Sequence, residues 1–127
     1  MDLSKIPVGQ DAPKDVNVII EIPIGGHPIK YEMDKDSGFL FLDRISTASM
    51  RYPCNYGFIP HTLSDDGDPI DVLVVCPYPF FPLSVVRCRP VGVMMTEDEK
   101  GGDEKLIAVP HEKTYPHLAH VKSYKDL

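Results

Sequence analysis

The stretch Asp66-Gly67-Asp68-Pro69-Ile70-Asp71-Val72-Leu73-Val74-Val75 joins an acidic turn directly to an apolar run. Asp, Gly and Pro are favoured in tight turns, whereas β-branched residues favour strands. We therefore predict a buried strand over Ile70–Val75. Its unusual feature is Asp71, because this carboxylate opens a run that otherwise has the composition of a core strand.

The carboxylates of this stretch repel one another at neutral pH. Two charges 4 Å apart repel by about 1 kcal/mol in water and by about 4 kcal/mol at an effective dielectric constant of 20. A divalent cation would turn that repulsion into attraction, and oxygen ligands suit Mg²⁺, Mn²⁺ or Ca²⁺. The alternative is a solvated Asp-Gly turn. An EF-hand is excluded, because the twelfth position counted from Asp65 or Asp66 is not Glu.

Short apolar runs like this one recur along the whole chain, separated by Pro, Gly, Asp or Asn. Thirteen prolines leave no long helical periodicity. In Ile29–Met33 the alternation places Lys30 and Glu32 on one face and Tyr31 on the other. We predict a single domain over residues 1–127, a small and mostly antiparallel β-barrel or curled sheet, with a polar tail that carries no clear element. The other predicted strands are Val16–Ile22, Phe39–Leu42, Ser84–Arg89, Val91–Met95 and Leu106–Val109.

The composition excludes several classes of protein and partner. The chain has 127 residues and a formal net charge of −6, which argues against nucleic-acid binding. The longest apolar run, Val72–Cys76, is too short to cross a bilayer, and the first residues show no secretory signal. Cys54, Cys76 and Cys88 have no C-x-x-C spacing, so a disulfide framework or a zinc site is not expected. We predict a cytoplasmic protein with no membrane partner.

A second acidic cluster lies between the predicted strands Val91–Met95 and Leu106–Val109. This is the layout of a hairpin with an acidic connection, for which a solvated tip is the default explanation. A small barrel can, however, bring two acidic loops to one rim and form a site for more than one cation. The acids of the cluster are Glu97, Asp98, Glu99, Asp103 and Glu104.

Cationic side chains punctuate the same segments and favour a phosphate substrate. Lys, Arg and metal ions together neutralise the charge of a transferring phosphoryl group. The alternative is a set of surface ion pairs of small energy. In the aromatic stretch Tyr52–Phe58, Tyr56 is the better candidate for a hydroxyl that reaches a site, and no histidine is given a role. The cations are Lys30, Arg44, Arg51 and Lys105.

Five ordered motifs closely resemble the soluble inorganic pyrophosphatases of the bacterial family I type. They are DGDPIDVLVV at 66–75, RYPCNYGFIP at 51–60, EIP and IKYE at 21–23 and 29–32, CRPVG at 88–92 and KLIAVP at 105–110. The resemblance implies a five-stranded OB-like β-barrel with few or short helices. It implies hydrolysis of pyrophosphate to two phosphates by a metal-activated water, with several Mg²⁺ ions as cofactor. It also implies a homo-oligomer, which is a hexamer in the family.

The same resemblance assigns roles by position. Asp68 resembles, by its position, the residue that acts as general base on the attacking water. Tyr52 resembles a residue that supports the structure of the site. Seven carboxylates resemble metal ligands by position. For the activating metals they are Asp66, Asp71 and Asp103, and for the metals that arrive with the substrate they are Asp98 and Glu99. For the outer part of the site they are Glu21 and Glu32. The residues similar to phosphate ligands are Lys30, Arg44, Tyr56 and Lys105.

The chain departs from the family pattern at its end. Family members continue through a helix that covers the barrel and carries a Tyr-Lys pair at the phosphate. A gapless comparison, which we prefer, places Tyr124-Lys125-Asp126-Leu127 in the loop before that helix, whereas a deletion would make Tyr124 and Lys125 the pair itself. The alternative function is therefore that of a catalytically impaired, metal- or phosphate-binding fragment of the same fold.

Overall fold

The computed structural model describes residues 3–25, 29–45, 53–62, 69–98 and 101–127, without the side chains of 96–98 and 101–103. Strands dominate these residues, and the helices among them are 3₁₀ segments of three residues each, Leu3–Lys5, Pro116–Leu118 and Tyr124–Asp126. A helix long and apolar enough to span a membrane is absent from the described ranges. The strands are β1 (Val16–Ile22), β2 (Ile29–Met33), β3 (Leu40–Ile45), β4 (Asn55–Phe58), β5 (Asp71–Val74), β6 (Val85–Asp98) and β7 (Gly101–Pro110).

Five strands close into a barrel in the order β1-β4-β5-β7-β6, with β6 returning to β1. The pairs are antiparallel except for β5 and β7, which run parallel and place Asp71 opposite Lys105. The remaining strands, β2 and β3, form a separate antiparallel hairpin. The prediction of a mainly β chain with a small five-stranded barrel is confirmed.

The barrel interior is filled by alternate residues of its strands, as the two-residue period of a strand requires. In β1 the even-numbered residues Val16, Val18 and Ile20 point inward, and Val18 and Ile20 are fully buried. They pack with Val72, Val74, Val86, Cys88 and Ala108 of the other strands. This core fixes which face of β1 is left for the site, since the odd-numbered residues must point outward.

The β2–β3 hairpin covers part of that outward face. Met33 of β2 packs against Ile19 of β1 and Phe58 of β4, and all three side chains are about 2% exposed. Burying such side chains stabilises the fold by about 1.5–3 kcal/mol each. A cleft between the hairpin and the barrel wall is the consequence.

In the described part of the chain three β-bulges interrupt the pairing, and each adds one residue to a strand. Ile20 and Ile22 oppose the adjacent residues Gly57 and Tyr56, so Glu21 is the extra residue of β1. Asp43 is the extra residue of β3 and Val91 that of β6. A bulge re-aims the side chain that it inserts. Two of the three extra residues are carboxylates.

Two predicted strands are one in the structure. Ser84–Arg89 and Val91–Met95 were expected to be separated by Pro90, but β6 runs through it to Asp98. Pro90 lies at the bulge, where a strand tolerates a residue that cannot donate a hydrogen bond. The pairing of β6 with β7 extends to Asp98 and Gly101, so the predicted acidic hairpin is confirmed but most of its acids lie in strands.

The segment that follows β7 is ordered against the barrel, contrary to the prediction of a tail without an element. Val121 is fully buried and packs with Val91 and Val109. The Arg89 guanidinium donates to the carbonyl oxygens of Leu118 and Val121 at 3.1 and 3.0 Å. These contacts are long-range, which is why sequence periodicity did not reveal them.

Candidate active site

Glu21 supplies a buried carboxylate to the cleft. As the extra residue of the β1 bulge it points outward, and the hairpin covers it so that it is only 6% exposed. Its Oε2 accepts a hydrogen bond from the backbone N–H of Met33 at 2.8 Å. Burial raises the pKa of Glu21, and the Met33 hydrogen bond and the charge of Lys35 oppose that shift.

Asp71, Lys105 and Tyr56 form a second group where the parallel strands meet. The register of β5 and β7 places Asp71 beside Lys105, and their side chains come within 3.4 Å, Nζ to Oδ2. The same ammonium lies 2.6 Å from the Tyr56 hydroxyl of β4. Lys105 is thus fixed by two neighbouring strands, which holds its charge in one place in the cleft.

Lys30 and Arg44 form a third group on the hairpin. They are opposite each other in the β2–β3 register, and the bulge residue Asp43 lies between them. Asp43 Oδ2 is 3.4 Å from Lys30 Nζ and 3.8 Å from Arg44 Nε. The Arg44 side chain is 72% exposed, so its guanidinium is accessible to a ligand.

The three groups line one cleft of about 390 Å³ between the hairpin and the barrel. Its described lining combines carboxylates with Lys, Arg and Tyr side chains, as a bound polyanion with cations requires. Tyr31 lines it too, contrary to the strict alternation predicted along β2. The predicted site residues that meet there are Glu21, Lys30, Glu32, Arg44, Tyr56, Asp71 and Lys105.

The other predicted site residues lie wholly or partly outside the residues that the structure describes. Asp66, Asp68 and Glu99, together with the supporting Tyr52, lie outside the described residues. Asp98 ends β6 and Asp103 lies in β7 two residues before Lys105, with their backbones described and not their side chains. Within the described ranges no three His, Cys, Asp or Glu side chains converge.

Sequence reasoning missed two charged residues that belong to the cleft region. Lys35 lines the cleft and approaches the Glu21 carboxylate. Asp43 stands between two predicted phosphate ligands, and the sequence showed only its position before Arg44. Both depend on the shape of the hairpin, a turn in one case and a bulge in the other, and no local pattern signals either.

Among the described residues, the chemistry of the donors suits Mg²⁺, although no three of their side chains converge. Glu21, Glu32 and Asp71 offer carboxylate oxygens to the cleft, and its described lining includes no thiol or imidazole that would favour a softer metal. Asp71 is paired with Lys105 and Glu21 approaches Lys35, so a cation would enter a site whose negative charges are already balanced in part by lysines.

Comparison with known proteins points to one family. Residues 18–127 match the family model described as inorganic pyrophosphatase. The chain is 59% identical over its full length to the inorganic pyrophosphatase of Rhodospirillum rubrum, of which it spans 71%. It is 61% identical over its full length to that of Pseudomonas aeruginosa, of which it spans 73%.

A solved structure agrees as well. The inorganic pyrophosphatase of Coxiella burnetii superposes with a TM-score of 0.91 at 50% identity, over 96% of this chain and 72% of that one. Sequence and fold therefore point to the same enzymes, and the resemblance drawn from the five motifs is confirmed. The chain belongs to the inorganic pyrophosphatase family.

Proposed function

We propose that this chain hydrolyses inorganic pyrophosphate to two phosphates with Mg²⁺ as cofactor. The observation that carries the proposal is the single cleft that gathers cations, carboxylates and a tyrosine hydroxyl from the barrel and the hairpin. Relatives at about 60% identity are named for the same activity.

The cations of the cleft bind the two ends of the diphosphate. Lys105 is fixed against Tyr56, and the Tyr56 hydroxyl can donate to a phosphate oxygen beside it. Lys30 and Arg44 project from the hairpin on the other side. Cations held in fixed positions stabilise charge that develops on transferring phosphoryl oxygens, which is the main source of catalysis in such reactions.

Carboxylates hold the metal. Bound Mg²⁺ neutralises phosphate charge and lowers the pKa of a coordinated water. The described candidates are Asp71 at the start of β5, Glu21 in the β1 bulge and Glu32 on the hairpin. The ligand set further includes Asp66, Asp98, Glu99 and Asp103, by the resemblance of their motifs.

Asp68 acts as the general base. It accepts a proton as the water oxygen forms its bond to one phosphorus, and the bond from that phosphorus to the bridging oxygen breaks. The second phosphate leaves with the bridging oxygen. No phosphoenzyme forms, because water attacks the phosphorus directly. A carboxylate in this role contributes a factor of about 10²–10⁴ to the rate.

Asp68→Asn therefore tests the mechanism. We expect phosphate release to fall by about 10²–10⁴, because the base is lost, while Mg²⁺ binding measured by calorimetry changes little. The assay is phosphate release from pyrophosphate by the unmodified chain and the variant, each with and without Mg²⁺. An unchanged rate in Asp68→Asn removes that residue from the mechanism, and metal-independent hydrolysis contradicts the proposal as a whole. Binding of Mg²⁺ and phosphate without turnover would favour the alternative, a metal- and phosphate-binding module.

The proposal also covers the domain organisation, the cellular compartment and the oligomeric state of the protein. We propose that residues 1–127 act as one domain in the cytoplasm, which the buried, unbridged Cys54, Cys76 and Cys88 support. A homo-oligomer is supported by large apolar side chains on and beside β3, where Phe39, Phe41 and Ile45 are 65%, 58% and 62% exposed. Sedimentation equilibrium tests the oligomer, and a monomer at micromolar concentration contradicts it.

A further inference from the structure

Lys35 stands on a turn that holds its backbone in place. The turn joins β2 to β3 and is closed by hydrogen bonds from Gly38 N to Asp34 O at 2.8 Å and from Asp34 N to Phe39 O at 2.9 Å. The Asp34 carboxylate also accepts from Ser37 N at 3.2 Å. Lys35 thus projects from a fixed position, not from a free loop.

From this turn the side chain reaches back into the cleft, where it makes two contacts with residues that the structure describes. Its Nζ lies 3.9 Å from Glu21 Oε2. The same Nζ lies 4.4 Å from the centroid of the Phe58 ring, a cation–π distance. The ring gives the ammonium a contact that does not depend on the carboxylate.

The electrostatics of Glu21 explain why a cation is needed there. The carboxylate is 6% exposed, and within the described residues one backbone N–H, that of Met33, is its hydrogen-bond donor. Two carboxylates among the described residues, Asp71 and Glu32, act on it with like charge. Lys35 is the opposite charge that offsets both burial and repulsion. A plain surface ion pair has two exposed partners, whereas here the carboxylate is buried.

We propose that Lys35 is a positioning residue whose charge holds the Glu21 carboxylate until Mg²⁺ binds that carboxylate. The lysine and the metal therefore compete for one buried ligand. This inference rests on the proposed function. Removal of the ammonium should leave Glu21 and its like-charged neighbours more attractive to a divalent cation, and Mg²⁺ should bind more tightly.

The experiment measures Mg²⁺ affinity directly, by titration calorimetry on the metal-free chain. Lys35→Met keeps the aliphatic stem and removes the charge, and we expect it to bind Mg²⁺ about three- to tenfold more tightly. Lys35→Arg keeps the charge and should restore the original affinity to within about twofold. Lys14→Met removes one positive charge from an exposed position outside the cleft, and it should leave the affinity unchanged.

A double-mutant cycle shows whether the effect passes through Glu21. Glu21→Gln keeps an acceptor for the Met33 N–H and removes the charge, so in that background Lys35→Met should change Mg²⁺ affinity by less than about twofold. Equal or weaker Mg²⁺ binding by Lys35→Met in the original chain overturns the proposal, and so does an effect that persists in Glu21→Gln. If the original chain binds Mg²⁺ and releases phosphate, such results refute the role of Lys35 alone. If the original chain does neither, that result refutes the proposed function, and the role of Lys35 falls with it.

Discussion

Asn55 is the polar side chain whose loss we expect to be most costly. It is fully buried at the start of β4, and its side chain links the segment that follows β1 to the segment that follows β5. Its Oδ1 accepts from the backbone N–H groups of Ile24 and Phe80, each at 3.0 Å, and its Nδ2 donates to the carbonyl of Tyr78 at 3.0 Å. The change we consider is Asn55→Ala, which removes all three partners at once.

The magnitude follows from these three bonds. One hydrogen bond contributes about 0.5–1.5 kcal/mol, and a buried backbone group left unpaired costs about 1–3 kcal/mol. Because the partners are only partly buried, water can satisfy some of them, and we expect Asn55→Ala to lower the free energy of unfolding by about 3–5 kcal/mol. A domain of this size is stable by about 5–15 kcal/mol, so the variant should still fold but unfold at a much lower urea concentration.

Asn55→Asp is a sharper test, because it keeps the shape and the two acceptor bonds. Its second oxygen faces the Tyr78 carbonyl and can bond to it only when protonated. Burial should raise the pKa of this carboxyl in the folded state above its unfolded value. The folded state then binds the proton more tightly, so the stability of Asn55→Asp relative to the original chain should fall as the pH rises above about 4.

Urea unfolding followed by circular dichroism at several pH values checks both variants. Asn17→Ala is the matched control, since Asn17 Nδ2 makes a single exposed hydrogen bond to Pro7 O at 3.0 Å, and it should cost no more than about 1 kcal/mol. A loss of less than about 1 kcal/mol in Asn55→Ala would refute the reasoning. So would an Asn55→Asp variant that is more stable, relative to the original chain, at pH 8 than at pH 5.

Three further predictions concern a barrel glycine, the ion pair between Asp15 and Arg87, and a lysine of the cleft. Gly57→Ala would place its Cβ 2.2 Å from the carbonyl oxygen of Ile19. Because that oxygen belongs to the rigid backbone, we expect the free energy of unfolding to fall by about 1–3 kcal/mol. A urea midpoint equal to that of the original chain contradicts this prediction. The hydrogen bond from Arg87 lowers the pKa of Asp15, so its contribution to stability is present above the ordinary value of 3.8 and lost as the pH falls through the folded pKa. Thermal unfolding of Asp15→Asn against the original chain should therefore differ at pH 6 and converge in strong acid, and a constant difference would argue against the ion pair. Lys105→Met should lower phosphate release by about 10²–10³ while an exposed control, Lys122→Met, does not, and similar rates for the two would remove Lys105 from the site.

The strands with simple periodicity could be predicted from the sequence. Val16–Ile22 and Ile29–Met33 have the predicted bounds, because alternating or continuous β-branched residues report directly on burial. The strand Asn55–Phe58 was not predicted, because the sequence shows only an aromatic stretch there. It is four residues long with a glycine at its centre, and its position is set by its pairing with β1 and β5.

Motif similarity names candidate site residues, but the sequence does not reveal how they are arranged. Motif similarity selected Lys30, Arg44 and Lys105 by position. The bulges that aim Glu21 and Asp43 depend on a mismatch between two strands, and one strand alone does not show it. Lys35 reaches the cleft only because the hairpin folds back over the barrel, a long-range packing event without a local signature.

The parallel pairing of β5 with β7 has a consequence for how the protein acquires activity. The whole of β6 lies between these strands in the chain, so their contacts are non-local and their closure costs more chain entropy than a hairpin does. Asp71 meets Lys105 only at this junction. A partly folded chain with its hairpins formed should therefore be inactive. During refolding from urea, recovery of phosphate release should lag behind strand formation seen by circular dichroism, or coincide with it, but never precede it.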